Sequence, residues 1–516
     1  MDSLIRARAS AQAAGRVFDG SKASGQPTPV PVGLPRSVPT TAPSDPRPGP
    51  LPPRAGEGEG HFSDGYVGLY PESDFELTTG AQCSGCNAPK QGLWYFPDDI
   101  IAVPKVGKPS LVWIGSPAMI EGARLSKDGK SLALSDGSSV PLALTPKISS
   151  NRSYYDISST SFFQDRPLRL RGEFVEENGV RRFIARAIWP EDFRVDFGSL
   201  RSEPAKDAAD IPSRIQADGG GARSAFSATA LWEKDPAAGR AWAGKPVLGV
   251  MLNGSQGDDD ETHGGHFSFF TGRFGPRGEM ADWMFSNFYD LAQYSEKGIL
   301  PSLVPMDKYM ADLNSGQSWY RPTDVLVAVL KDERVALELQ EKFKDLYAKY
   351  YAREVVYNHT TKSCAALVID ELRGDGWDIP KTGASSFLSR KVLTTLVRIG
   401  GGKQAADEMD AAMQQEKSRL FPRAAFEAAG ADLLRLGGEK PERGLTPIEK
   451  ELAADLEAVL FVRIPQLPSS RAFGSYPVAS TEEYFHSVPM DHSKWKTIPS
   501  VPRSYPPPSD HPAVAP

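Results

Sequence analysis

The sequence predicts an α+β protein built from several units. An N-terminal all-β module, a small barrel, precedes a central α+β domain and a C-terminal helical extension. The 516 residues are enough for two to four domains. Short β-prone runs separated by Gly, Pro, Asp and Ser fill the first part of the chain, and helical spacing dominates later. The predicted units are a leader (1–60), an all-β module (62–200), a linker (201–222), a central domain (223–380), a helical extension (381–463) and a tail (464–516).

Proline clusters mark both ends of the chain. Eleven prolines lie between Pro27 and Pro53, and such a stretch favours extended polyproline conformations and cannot bury a core. We therefore expect residues 1–60 to be a disordered leader. The C-terminal tail is also rich in proline, but aromatic residues such as Tyr476 and Trp495 interrupt it. We expect the tail to lie along the folded body.

The clearest β unit is a hairpin whose strands run from Leu168 and from Val180. Asn178 and Gly179 between them suit a type I′ turn, in which both central residues need positive φ. Further short runs lie at 93–96, 100–103, 111–114 and 132–134. Together they indicate the small barrel.

The central domain shows strands and helices in alternation. Apolar runs predict strands at 246–252, 266–270 and 325–330, and the run 283–289 is typical of a short amphipathic turn or helix. Apolar residues at spacings of three and four predict a helix over 332–352. A second helix is expected to begin at Cys364, with Thr360, Thr361 or Ser363 as its cap, and to end at Gly374.

Composition argues against several function classes. The formal charge is -6 from 59 basic and 65 acidic residues, whereas a nucleic-acid binder shows a basic face. No apolar run reaches the ~18–20 residues that span a bilayer, so the chain is not expected to be integral to a membrane. Three cysteines cannot form a disulfide framework. No secretory signal is visible at the start of the sequence, and the sequence leaves the compartment open.

Cys364 is the first candidate for chemistry. A thiol in the first turn of a helix lies near unsatisfied backbone N–H groups and the positive end of the helix dipole, which favours the thiolate. The same amides can receive an oxyanion. The alternative is a small buried residue that packs the start of the helix.

His266 is the second candidate, in the segment Thr262-His-Gly-Gly-His-Phe. Two glycines let the backbone approach closely, and a base at a strand end is held rigidly. The alternative is a histidine that caps the strand by bonding to loop carbonyls. His263 is the alternative candidate for the base. His359 is expected to lie at the N-terminal entrance of the helix that begins at Cys364, or to line the pocket.

A histidine on a strand, followed about 100 residues later by a helix that opens with Tyr-Asn-x(5)-Cys, resembles the circularly permuted NlpC-type papain-like hydrolases. The segments Gly265-His266-Phe267 and 357–372 are similar to the Lnb-type periplasmic domains and, more distantly, to lecithin retinol acyltransferase-like enzymes. The resemblance covers roughly residues 245–375.

The resemblance implies a thiol hydrolase or acyltransferase that forms an acyl-enzyme, with Cys364 as nucleophile and His266 as base. The implied substrates are peptide, peptidoglycan or lipid amides and esters, and the implied compartment is the cell envelope or periplasm. A third polar residue should orient the imidazole from the following strand. The candidates are Glu279, Asp282 and Asn287. No cofactor is expected.

Two other functions remain open. The papain-like unit could be degenerate, so that the chain serves as a non-catalytic envelope or partner-binding protein. Alternatively, the acidic loop at 258–261 with His263 and His266 could form a metal-dependent hydrolase site. Cys83 and Cys86 form a single CxxC motif. The sequence leaves three interpretations open: a local disulfide, half of a metal knuckle, or a pair of structural residues.

Overall fold

The computed structural model describes residues 118–145, 155–222, 224–255, 263–290, 299–313, 321–351, 354–355, 357–358, 361–438, 444–468 and 473–487, together with five short strands before them. Those five form an antiparallel sheet in chain order: β1 His61–Ser63, β2 Tyr66–Gly68, β3 Phe75–Thr79, β4 Ile100–Pro104 and β5 Val112–Trp113. The leader 1–60, the run 93–96 and the CxxC pair lie outside the described residues.

The next five strands close into the expected small barrel. They are β6 Ala118–Leu125, β7 Ser131–Ala133, β8 Ser139–Leu144, β9 Leu168–Glu177 and β10 Val180–Pro190. The order around the barrel is β6-β7-β8-β10-β9, with helix α1, Ile157–Phe163, between β8 and β9. This is the connectivity of the five-stranded Greek-key OB barrel. Because α1 belongs to it, the module is not purely β, and its fold alone assigns no ligand.

The predicted hairpin is confirmed in β9 and β10. Val180 pairs with Glu177, and the two residues between them, Asn178 and Gly179, have φ of 54° and 76°. Positive φ at both positions gives the turn a twist that matches the strands it joins.

An eight-stranded sheet forms the centre of the molecule, in the order β11-β12-β18-β17-β13-β14-β15-β16. Every pair is antiparallel except β11 with β12. The strands are β11 Arg201–Ser202, β12 Ser227–Glu233, β13 Pro246–Asn253, β14 His266–Arg273, β15 Met284–Asp290, β16 Ile299–Pro305, β17 Thr323–Leu330 and β18 Leu456–Ile464.

Both faces of this sheet are covered, which explains the uninterrupted apolar runs of β13 and β17. One face packs against long helices and the other against the barrel side. The helices are α2 Asp210–Gln216, α3 Asp218–Gly221, α4 Met306–Ala311, α5 Arg334–Tyr351, α6 Cys364–Gly374, α7 Phe387–Met413, α8 Lys417–Leu420, α9 Pro422–Gly438, α10 Pro447–Asp455 and α11 Thr481–Ser487.

Three expectations need correction. The predicted linker 201–222 contains β11 and the short helices α2 and α3, because Ile211 and Ile215 bury their side chains against the domain. The run 283–289 is strand β15 and not a helix, since its alternate side chains face two different apolar clusters. The helical extension 381–463 is not separate, because it ends in β18, which lies inside the central sheet between β12 and β17.

Ion pairs join the barrel to the central domain. Arg169 on β9 donates from Nη1 to Asp282 at 3.0 Å, and its Nε lies 2.9 Å from a carboxylate oxygen of Asp307. Arg186 on β10 donates to Asp312 at 2.8 Å, and both side chains are fully buried. The barrel is therefore fixed to the face of the sheet over which α4 lies.

Candidate functional site

His266 is the first residue of β14, opposite Asn253 at the end of β13. The preceding residue, Gly265, has φ of +69°, and a Cβ there would lie 2.6 Å from the carbonyl oxygen of Asn253 and 2.7 Å from Pro477. Only glycine fits this entry to the strand. The close backbone approach expected from the Gly-Gly-His segment is thus found at Gly265.

The imidazole of His266 is oriented by an amide. Its Nε2 lies 2.8 Å from Oδ1 of Asn287, which is on β15 and fully buried. Nδ2 of Asn287 has no hydrogen-bond partner among the described residues. Such an unsatisfied buried group costs free energy and calls for an explanation such as a functional role.

Asn287 is thus the one of the three orienting candidates that contacts the histidine. Glu279 instead accepts from Nε of Arg277 at 2.6 Å. Asp282 accepts a hydrogen bond from Arg169 of the barrel. Burial alone would raise the pKa of Asp282, but the charge of this arginine holds that pKa below its usual value.

A chain of buried polar side chains extends from the histidine. The ring of Tyr309, on α4, lies 6.3 Å from that of His266. Its hydroxyl donates to Oδ1 of Asn253 at 2.8 Å, and Nδ2 of Asn253 donates to Oγ1 of Thr323 at 2.7 Å. Asn253, Tyr309 and Thr323 were not among the site residues predicted from the sequence. A polar residue closing an apolar strand, as Asn253 does, was the available signal.

Cys364 begins α6, as predicted, and Ser363 is the cap. Oγ of Ser363 accepts from the N–H of Ala366 at 3.4 Å, and the N–H of Cys364 donates to the hydroxyl of Tyr357 at 3.2 Å. The side chain of Cys364 belongs to the apolar cluster on the helix face of the sheet, and the residue is 5% exposed.

The two proposed catalytic residues lie at the same end of the sheet. The ring of Tyr357, which contacts the N–H of Cys364, lies 5.5 Å from that of Phe288. Phe288 directly follows Asn287, the partner of His266. The start of α6 and the start of β14 are therefore close in space.

They nevertheless occupy opposite faces. Side chains alternate along a strand, and Phe267 and Phe269 of β14 pack in the cluster that holds Cys364. His266 has the parity of Phe270, which packs in the cluster on the barrel side. The described contacts of His266 are with Asn287 and Tyr309. The expected direct contact between sulfur and imidazole is therefore not formed.

The other sequence candidates add little to this site. The carbonyl oxygen of His263 accepts from the N–H of Val478 at 2.9 Å, whereas His359 and the acidic loop 258–261 lie outside the described residues. Within the described part of the chain, no three His, Cys, Asp or Glu side chains group closely enough to hold a metal ion.

A C-terminal segment, residues 473–478, covers this end of the sheet. The N–H of Ser255 donates to the carbonyl of Ser475 at 2.9 Å, and the N–H of Ser475 donates to Oγ of Ser255 at 3.2 Å. Pro477 lies against Gly265. The tail follows the folded body here, as expected, and Pro477 lies beside the residue that precedes His266.

Comparisons with known proteins leave the family open. No protein-family model, curated protein or solved structure matches the chain. Among the described residues, none of the helices has the length and apolar character required to cross a membrane.

Proposed function

We propose that the central domain is a thiol-dependent hydrolase or acyltransferase for amide or ester substrates. The observation that carries the proposal is the 2.8 Å contact between His266 Nε2 and Asn287 Oδ1, at the sheet end where Cys364 opens α6. An amide bound to Nε2 fixes the ring and leaves Nδ1 as the nitrogen that exchanges a proton with the nucleophile.

The reaction follows from these groups. Cys364 transfers its thiol proton to Nδ1 of His266, and the sulfur attacks the substrate carbonyl carbon. The imidazolium then returns the proton to the leaving amine or alcohol as the carbon–heteroatom bond breaks. Water, or another nucleophile in acyl transfer, resolves the thioester and restores the thiol.

The sulfur and the ring must approach for this chemistry. Cys364 lies on the helix face and His266 on the barrel face of one sheet end. The first turn of α6 must therefore shift across that end, in the free protein as well as in the substrate complex, for the thiol to pass its proton to His266. The covering segment 473–478 must also move aside, because Pro477 packs beside the entry to β14.

Acylation of the protein by an activated ester tests the proposal. Incubation with p-nitrophenyl acetate should place an acetyl group on Cys364, detected by peptide mass spectrometry. Cys364→Ser should lack this thioester, and His266→Ala should form it more slowly. His263→Ala is the matched control and should react like the parent. Absence of the adduct, or equal rates in the His266 and His263 variants, would contradict the proposal.

A non-catalytic binding role is the second candidate, and the burial of Cys364 favours it. A 5% exposed side chain in an apolar cluster is typical of a structural cysteine. In that case Cys364→Ala would lower the unfolding free energy, and the parent protein would show no ester-dependent adduct.

A further inference from the structure

The first arm of α7 carries a row of exposed apolar side chains. We define the row as Phe387, Leu388, Val392, Leu396 and Ile399, whose exposed fractions run from 50% to 80%. From Leu388 onward the spacings are four, four and three, so these side chains share one side of the helix. Single exposed apolar residues are ordinary, but a contiguous row indicates a surface that something covers.

The helix folds back on itself and so keeps the row on the outside. At Gly402, φ is 84° and the helical path breaks. Arg390 and Asp410 connect the two arms at 3.2 Å. Val397 on the first arm and Met409 on the second fill the space between them. The two arms therefore bury their facing apolar side chains against each other, and the residues of the row take no part in that contact.

The C-terminal helix α11 lies at the base of this hairpin. Oγ of Ser385 donates to Oγ1 of Thr481 at 3.3 Å. Burial opposes ionisation of Glu482, but nearby polar groups, the hydroxyl of Ser389 among them, hold the pKa of this carboxyl below its usual value. The first turn of α11 therefore lies beside the start of the row. The helix ends at Ser487, ~8 Å further along its axis, and residues 488–516 follow.

Those residues have suitable length and chemistry. The row extends ~18 Å at 1.5 Å per helical residue, and about six extended residues span that distance at ~3.3 Å each. The segment carries Val488, Met490, Trp495 and Ile498 among its prolines. Proline restricts the backbone, so docking a proline-rich segment costs less conformational entropy than docking a flexible one.

We propose that residues 488–516 pack along the row and close the outer face of the hairpin. A tethered segment competes at a high effective concentration, which favours it over a second copy of the chain. Arg390 and Arg398 are paired with carboxylates of the second arm, whereas Lys391 lies over the ring of Phe387, so binding to an anionic lipid surface is an outcome that the test must distinguish. The proposal is independent of any activity at Cys364.

A photo-cross-linker in the full-length chain tests the occupant directly. With p-benzoylphenylalanine in place of Leu396, irradiation should join this position to a peptide from 488–516 of the same chain. The same group in place of Gln404, on the second arm, is the control and should give much less of that product. A cross-link between two chains, or none to this segment, would overturn the proposal.

Hydrogen exchange gives a second readout that needs no cross-linker. Amides of 387–399 should exchange several-fold faster in a chain that ends at Ser487, and in the Trp495→Ala variant, than in the parent. Equal exchange in all three proteins would overturn the proposal. So would flotation of the parent with phosphatidylserine vesicles that Leu396→Asp abolishes, since the row would then bind lipid.

Discussion

His266 Nε2 lies 2.8 Å from Asn287 Oδ1, and the two residues come from neighbouring antiparallel strands. The contact is sheltered, because His266 is 8% exposed and Asn287 is fully buried. A sheltered amide holds an imidazole in one tautomer and one orientation. This pair is the part of the proposed catalytic apparatus that is already assembled.

Asn287 should act through the orientation of His266. Asn287→Ala removes the acceptor, and we expect Cys364 acylation to slow by about tenfold, less than the ~10²-fold expected when the base itself is lost. Asn287→Asp keeps an oxygen at this position and should retain most of the rate. The measurement is the pseudo-first-order rate of acetylation. Equal rates for the Ala and Asp variants would show that the acceptor has no such role.

The buried pair of Arg186 and Asp312 should dominate the attachment of the barrel. Asp312→Ala leaves Arg186 and Lys308 without this carboxylate, and losing one partner of a buried pair costs ~3–5 kcal/mol. Denaturant unfolding measures the change. The exposed pair Arg182 and Glu177 is the control, for which Glu177→Ala should cost ~1 kcal/mol or less. Similar losses in both variants would contradict this account.

Gly249 should not tolerate a side chain. A Cβ there would lie 1.9 Å from the carbonyl oxygen of Leu326 and 2.6 Å from the ring of Phe270. Gly249→Ala forces two central strands apart, and we expect a loss of about 3 kcal/mol in unfolding free energy. Gly383→Ala, with open space around the new methyl, is the control. A loss in Gly249→Ala no larger than in the control would refute the packing described for β13.

Asp324 should make stability depend on pH. Burial raises the pKa of Asp324 to about 7 despite the opposing charge of Arg463, whereas an unfolded aspartate has a pKa of ~3.9. The folded protein therefore binds the extra proton, so the unfolding free energy should fall as pH rises from ~4 to about 7 and then level off.

Asp324→Asn isolates this contribution. The variant cannot titrate at this position, so its unfolding free energy should vary less between pH 4 and pH 7 than that of the parent, whatever its absolute value. Chemical denaturation at several pH values provides the comparison. If the unfolding free energy depends on pH identically in the two proteins, Asp324 is not the source of that dependence.

Much of the architecture could be predicted because local patterns determine it. Asn178-Gly179 specifies its turn, the apolar run of β13 specifies a strand buried on both faces, and Ser363 specifies the start of a helix. The place of β18 could not be predicted. Its insertion between β12 and β17 depends on packing with strands more than a hundred residues earlier.

The candidate site was predictable only in part, because the expected contact between Cys364 and His266 is not formed. The residue types of Cys364, His266 and Asn287 identified them, and the sheet end they share follows from the strand and helix starts. The opposite faces of Cys364 and His266 depend on the phase of β14 relative to α6. A shift of one residue in a strand reverses every side chain, and the sequence does not specify that phase.

Alkylation of Cys364 by iodoacetamide near neutral pH tests the central claim most directly. If His266 serves as its base, peptide mass spectrometry should show labelling of Cys364 ahead of Cys83 and Cys86, and His266→Ala should slow that labelling by ~10²-fold while His263→Ala leaves it unchanged. Slow labelling of Cys364 that is the same in the parent and in His266→Ala would contradict a catalytic pair.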